Sequence, residues 1–361
     1  MQEPSYHLLV GCAECDGILR LGFDAASGRL EERPLQRIAA SKASWLVVSA
    51  DGERLFALED VQGGGRVSAL RRDANGQFIV TASMPSEGIE AVHGCLGEEA
   101  RHLLVAHYCA DALPGGSLAV LPLSADGLGR VTQLLVEPFE RPGAQRQASS
   151  HIHCVVLAPD DRDVFACDLG ADRLYHYHYQ AERGDPLAPA NPRYLQLSEG
   201  SGPRHLLFDA SGRHAYLTLE LSNQVALLDY QDRRLRLRTL YDLDPPLQPP
   251  ADRRLGALHL SVDGRFLYVS RRGAQNQLVA YAVDPCNGAL EELQRRNSGG
   301  VEPREFALAA DGRFLLVANQ RSDNLLVIQR DPATGLLGDT LQELQVPSPS
   351  DLKFITAVAH G

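Results

Sequence analysis

The chain has 361 residues, a formal net charge of −11 and a pI of about 5.5. Its 44% hydrophobic and 22% charged residues are ordinary for a globular protein, and the acidic balance argues against nucleic acid, whose phosphates require clustered Lys and Arg. No apolar run approaches the ~18–20 residues of a membrane span and the polar first residues lack a signal-peptide pattern, so a cytoplasmic protein without a membrane partner is expected.

Three short strands open the chain: YHLLVG at 6–11, GILRLGF at 17–23 and LEERPL at 30–35, the last two joined by the turn DAASGRL. From there one unit recurs, an apolar strand, a tight turn centred on Asp-Gly or a relative, and a second apolar strand. It spans 45–59, 93–108 in a weaker copy, 153–168, 204–220, 258–272 and 304–320. The turn glycines Gly212, Gly264 and Gly312 lie 52 and 48 residues apart. Between the hairpins stand DANGQF at 73–78, DPCNGAL at 284–290 and DPATGLL at 331–337, turn chemistry flanked by alternating strands. The last strand is SDLKFI at 350–355.

Each repeat therefore holds four strands, A to D, and no segment sustains a 3.6-residue period. Evenly spaced strands in units of roughly fifty residues predict an all-β fold, a seven-bladed β-propeller with four antiparallel strands per blade. It is expected to fill residues 1–361 as a single domain. The opening strands lack an A and the closing strand lacks B to D, so the two ends together complete the seventh blade and leave no open edge.

In such a blade A is innermost and B runs antiparallel to it, so A starts and B ends share the mouth of the central channel. The A starts carry His93, His153, Arg204 with His205, His259 and Arg304. The B ends carry Glu59, His107, Asp168, Glu220, Arg272, Asn319 and Gln320. Arginine forks bind carboxylate or phosphate, a neighbouring imidazole or carboxylate can activate water, and the same guanidiniums can hold a developing oxyanion. The set suits hydrolysis of an anionic ester or lactone, and equally a wet channel lined by solvated ion pairs.

Other signals carry less. Seven cysteines, odd in number and scattered, fit reduced thiols better than a disulfide framework, and Cys12-x-x-Cys15 lacks the second pair a structural zinc needs. His151-x-His153 and His176-x-His178 each put two imidazoles on one strand face, but a metal would also need carboxylates; no metal and no cofactor is expected. The Asp-Arg run at 160–163 reads as solvated turn charges. Neither a Gly-x-Ser-x-Gly elbow nor a P-loop occurs.

The segments at 45–60, 151–174, 202–228 and 314–337, with Gly-Pro-Arg-His at 202–205 and His-x-His at 151–153, resemble the bacterial 6-phosphogluconolactonases of the β-propeller type. These are related to the fungal 3-carboxy-cis,cis-muconate lactonizing enzymes, and the similarity spans nearly the whole chain. The resemblance implies metal-independent lactone chemistry on a small anionic sugar lactone, or second on a muconate-type lactone; a monomer or weak homodimer is expected. By motif position it places the site on His153, Arg204, Arg272 and Glu220. Arg204 and Arg272 would bind the substrate anion and its carbonyl, and His153 or Glu220 would be the acid/base. His93, Asp168, His205, His259, Arg304, Asn319 and Gln320 are the expected substrate contacts. The chain departs from the family pattern at Arg271, His107 and Glu305 and in an insertion beginning at Ala110, which leaves open a propeller without catalysis that binds a ligand or protein at the same mouth.

Overall fold

At residues 209–214 the Asp-Ala-Ser-Gly turn closes as its chemistry requires. The Gly212 N–H donates to the Asp209 carbonyl at 3.0 Å, the Asp209 carboxylate accepts from the Arg213 N–H at 3.2 Å, and Gly212 takes φ 66°, where only glycine is unstrained. The turn returns strand His214–Leu219 antiparallel to Pro203–Phe208. The computed structural model, which describes residues 6–62, 64–109, 115–124, 127–244 and 254–357, repeats this hairpin along the chain.

Among the described residues seven antiparallel sheets result, five of four strands and two of five in which the outer strand is split, in the predicted A-to-D order. They begin with the A strands Ala43–Val48, Ile89–Leu96, Ile152–Leu157, Pro203–Phe208, Leu255–Leu260, Pro303–Leu308 and Pro349–Thr356. The last of these pairs with Tyr6–Cys12, so the seventh blade is made from both ends of the chain as expected. Its outer strand differs from the expected 30–35: it is split into Arg29–Leu30 and Gln36–Ser41. Pro34, which lacks an N–H, sits in the break. Helical structure among the described residues amounts to the 3₁₀ turns Glu98–Ala100 and Gln320–Ser322.

The chain divides into two compact units. One comprises the sequence through Leu55, Leu70–Ile79 and everything from Gly256; the other comprises Phe56–Ala69 and Val80–Leu255. In the first, Phe23 is fully buried and meets Phe314 and Phe354 edge-on, with ring centroids 5.9 and 5.2 Å apart. In the second, Cys154, Phe165, Cys167, Leu206, Leu217 and Leu228 form an apolar layer from neighbouring blades. Each Leu or Phe side chain of this kind contributes roughly 1.5–3 kcal/mol by burial. Cys12 and Cys15 form a disulfide, which corrects the expectation of reduced thiols for this pair; Cys95, Cys109, Cys154, Cys167 and Cys286 are free.

Candidate functional site

The A strands share a local irregularity that decides which side chains are presented. Pairing of Ile152 with Asp168 and of Cys154 with Cys167 leaves His153 as an extra residue. The same slip lies between Pro203 and Leu206, releasing Arg204 and His205, and between Pro303 and Glu305, releasing Arg304. Such β-bulges bend the strand and re-aim a side chain. Of the expected A-start residues, His153, Arg204, His205 and Arg304 lie at such bulges, whereas His93 stays in the ladder opposite Ala106.

In the second unit the bulge at Arg204 meets the end of its own B strand. The Glu220 N–H donates to the Gly202 carbonyl at 2.7 Å, and Gly202 sits at φ 62° against Leu221, a position a Cβ could not occupy. This brings Arg204 Nε to 3.1 Å from Glu220 Oε2, with both side chains 2% exposed. Arg146 reaches the other oxygen, its Nη2 lying 2.8 Å from Glu220 Oε1. Burial opposes the charge on Arg146, but Glu220 and Tyr108 beside it outweigh that and hold the guanidinium firmly protonated. Two buried or half-buried cations thus face one carboxylate, a combination that is costly unless geometry and hydrogen bonds compensate.

Imidazoles surround this pair. Arg204 donates to His205 at 3.0 Å, and the His205 ring lies 5.5 Å from His153 and 5.4 Å from His93, edge to face in both cases. Tyr108 stacks on His151 at 4.1 Å and meets His153 edge-on at 5.9 Å. Burial raises the Tyr108 phenol above its ordinary pKa and keeps it neutral. His93 accepts the Val155 N–H at Nδ1, at 3.4 Å, and turns Nε2 to the Cys154 sulfur at 3.5 Å. Arg204, His205, His153, His93 and Glu220 are therefore gathered together, and Arg146, Tyr108 and His151 join them.

Asp168, expected to touch substrate, is spent on the backbone. Its carboxylate accepts from the Ser150 hydroxyl at 2.6 Å, the His151 N–H at 2.8 Å and the Gly170 and Ala171 N–H groups at 3.0 Å each. Burial nonetheless lifts its pKa above the usual carboxylate range. It fixes the turn that delivers His151 and His153, and a Cβ at Gly170 would collide with the Ser149 carbonyl in that turn. Glu59 is fully buried against Arg66 at 2.6 Å. His107 lies fully buried between the Ser86 and Ser117 hydroxyls at 2.9 and 3.1 Å, and burial pulls its pKa down to about 4.

The first unit holds the remaining expected residues. Arg272 Nη1 is 2.9 Å from Glu302 Oε1, both nearly buried. Arg304 reaches Gln320 at 3.5 Å, and Asn319 donates to the Ser298 carbonyl at 3.2 Å. His259 Nε2 lies 2.7 Å from the buried Glu305, whose pKa stays below the carboxylate norm because His259 and Lys353 offset its burial. Arg271 departs from its neighbour: burial and repulsion from Arg295 lower its pKa, and its guanidinium donates to Gln277 at 3.5 Å. Most of the insertion beginning at Ala110 lies outside the described residues.

Sequence reasoning missed Arg146, and the signal was length. Between strands Gln133–Val136 and Ile152–Leu157 runs a connection far longer than a blade needs, and such connections are usually functional. It also misread Asp163. That residue is fully buried and accepts from His176 and His178 at 2.8 Å, Tyr230 at 3.0 Å and Arg233 at 2.7 Å, so it is a hub between blades rather than a solvated turn charge. Asp163, His176 and His178 also form the one cluster among the described residues with three converging metal-ligand atoms. The guanidinium on the same carboxylate makes it a poor seat for a divalent cation.

The family described as "Lactonase, 7-bladed beta-propeller" matches residues 7–354, and the chain belongs to it. A Pseudomonas aeruginosa protein named periplasmic gluconolactonase is 43% identical, with a TM-score of 0.90 over 97% of this chain and 99% of its own. Proteins named 6-phosphogluconolactonase from Formosa agariphila and Bacillus subtilis are 28% and 27% identical. They are covered over 96% and 95% of their length by 94% and 95% of this chain. No helix of the described residues is long and apolar enough to cross a membrane.

Proposed function

We propose that the chain hydrolyses a sugar lactone at the Arg204–Glu220–Arg146 cluster. The observation that carries this reading is the single carboxylate of Glu220 held between two guanidiniums beside the imidazoles of His153 and His205. Both oxygens of Glu220 are engaged by arginines, so its role is to hold and orient them, and His153 takes the proton. Water adds to the lactone carbonyl carbon while His153 accepts its proton, and the carbonyl oxygen becomes an oxyanion against the guanidiniums. Collapse breaks the bond from that carbon to the ring oxygen, which receives the proton back from His153. The product is the open hydroxy acid. No metal or cofactor enters this scheme.

Two guanidiniums against one carboxylate leave the cluster net positive, which suits an anionic lactone such as the 6-phosphorylated one. The names of the relatives, gluconolactonase and 6-phosphogluconolactonase, support the same substrate class. The test is proton release from glucono-δ-lactone, 6-phosphogluconolactone and a muconate-type lactone, each against its spontaneous rate. Acceleration of a sugar lactone that is lost in His153→Ala supports the reading; no acceleration of any of the three overturns it in favour of a ligand-binding propeller. For the compartment, the Cys12–Cys15 disulfide favours an oxidising one over the cytoplasm, in line with the periplasmic relative, and fractionation of the host cell distinguishes them.

A further inference from the structure

Between the outer strands of two neighbouring blades of the second unit lies a cavity of about 240 Å³ that shares no residue with the Arg204–Glu220 cluster. Its floor is apolar, made by Phe165, Leu174, Leu195 and Leu235. Its polar groups are the imidazole of His176 and the guanidiniums of Arg234 and Arg236, with Tyr194 beside them. No carboxylate lines it, in a chain whose net charge is −11. We propose that it is a binding site for a monocyclic aryl carboxylate.

Size, shape and charge each narrow the ligand. An apolar cavity of about 150 Å³ accommodates benzene, and drug-sized ligands need roughly 300 Å³ or more, so this one holds a single ring bearing one small substituent. The wall is pre-built: Phe165 and His176 stack 4.6 Å apart at 21°, and His176 is anchored by its 2.8 Å contact with Asp163. Arg234 is fixed at the rim by donating to the Asn191 carbonyl at 2.8 Å. Arg236 is loosely held, its nearest acid Asp232 being 3.9 Å away and largely exposed. A carboxylate at the mouth would replace that weak pair with a guanidinium–carboxylate fork, while the ring enters the apolar floor. A neutral ring would leave the arginines unanswered, and a phosphate without a ring would leave the floor wet.

Benzoate is the probe, with benzyl alcohol as its neutral counterpart, followed by calorimetry and by amide NMR shifts on the intact protein. The expected result is saturable millimolar binding of benzoate, with benzyl alcohol and inorganic phosphate each at least about fivefold weaker. Arg236→Ala, at an exposed position that leaves the fold alone, should weaken benzoate by about tenfold. Leu235→Trp should fill the floor and abolish binding without changing lactone turnover; if that variant misfolds, the Arg236→Ala and benzyl alcohol results decide. The proposal falls if benzoate does not saturate by about 20 mM. It falls equally if benzoate binding is the same in wild type and Arg236→Ala.

Discussion

Arg146 donates to Oε1 of Glu220 at 2.8 Å from a connection that belongs to no strand of the propeller repeat. The other oxygen of the same carboxylate belongs to Arg204, which rises from the hairpin that Glu220 itself ends. One acid therefore joins a part of the protein fixed by the sheet to a part that is not.

Arg204→Ala should remove an oxyanion donor and cost roughly 2–4 kcal/mol of transition-state stabilisation, with Arg204→Lys recovering only part because an ammonium lacks the planar fork. Because Arg204 is buried against Glu220, the melting temperature should fall as well, by less than for a fully orphaned charge since Arg146 remains. Rate and melting temperature are measured on one sample; full activity in a folded Arg204→Ala would remove Arg204 from the site. Arg272→Ala in the same assay tests the second arginine implied by the family resemblance.

Arg146 is the second guanidinium facing the oxyanion, and its substitution has a different signature. Its side chain is 41% exposed, so Arg146→Ala should shift the melting temperature little. The loss of one charged hydrogen bond, about 1.5–3 kcal/mol, should appear in kcat more than in KM. Arg146→Lys, which can restore the single contact to Glu220, should rescue part of it. An unchanged kcat in Arg146→Ala would remove Arg146 from the oxyanion contact.

His107 makes stability depend on pH. Its folded pKa of about 4 lies below the unfolded value of 6.5, so the unfolded chain binds the extra proton in the window between them. Stability from this group is complete above pH 6.5 and is lost as pH falls toward 4, by roughly 3 kcal/mol in all. Urea titrations of wild type and His107→Gln across this window check it: the variant should lose much of the slope, and parallel curves would exclude His107 as the cause.

Deleting residues 349–361 removes the A strand of the seventh blade. Asp351, whose Oδ2 accepts the Leu46 N–H at 2.7 Å, goes with it, and Tyr6–Cys12 becomes an open edge. The truncated chain should be insoluble or melt far lower; a soluble product with unchanged melting would show that the terminal closure is dispensable.

A chelator should leave lactone hydrolysis intact, since Arg233 and Tyr230 already occupy the carboxylate of the best metal-like cluster. Activity lost to chelation and restored by calcium or zinc would overturn the metal-free scheme.

The blades were legible because Asp-Gly turns and alternating strands are local signals, each readable in fewer than about ten residues. The meeting of Arg204 with Glu220 was legible for the same reason, since an antiparallel hairpin must bring its two ends together. What the sequence hid was tertiary. Arg146 sits in a segment with no periodicity, and nothing nearby announces Glu220 as its partner. Asp163 reads as a turn charge because Tyr230 and Arg233, which bury it, come from the end of a strand and the turn after it in the next blade. Asp168 stands where a substrate contact would, but the N–H groups it satisfies are set by loop geometry.

The bulges at His153, Arg204–His205 and Arg304 carry a consequence for substitution. At a bulge the register is carried by the paired residues on either side rather than by the side chain of the extra residue. Each such blade therefore offers a position whose side chain can be exchanged without shifting the register, at the cost of the contacts it makes, as Arg204 does with Glu220. The side chains at the bulges are in this sense separable from the strand pairing that builds the blade.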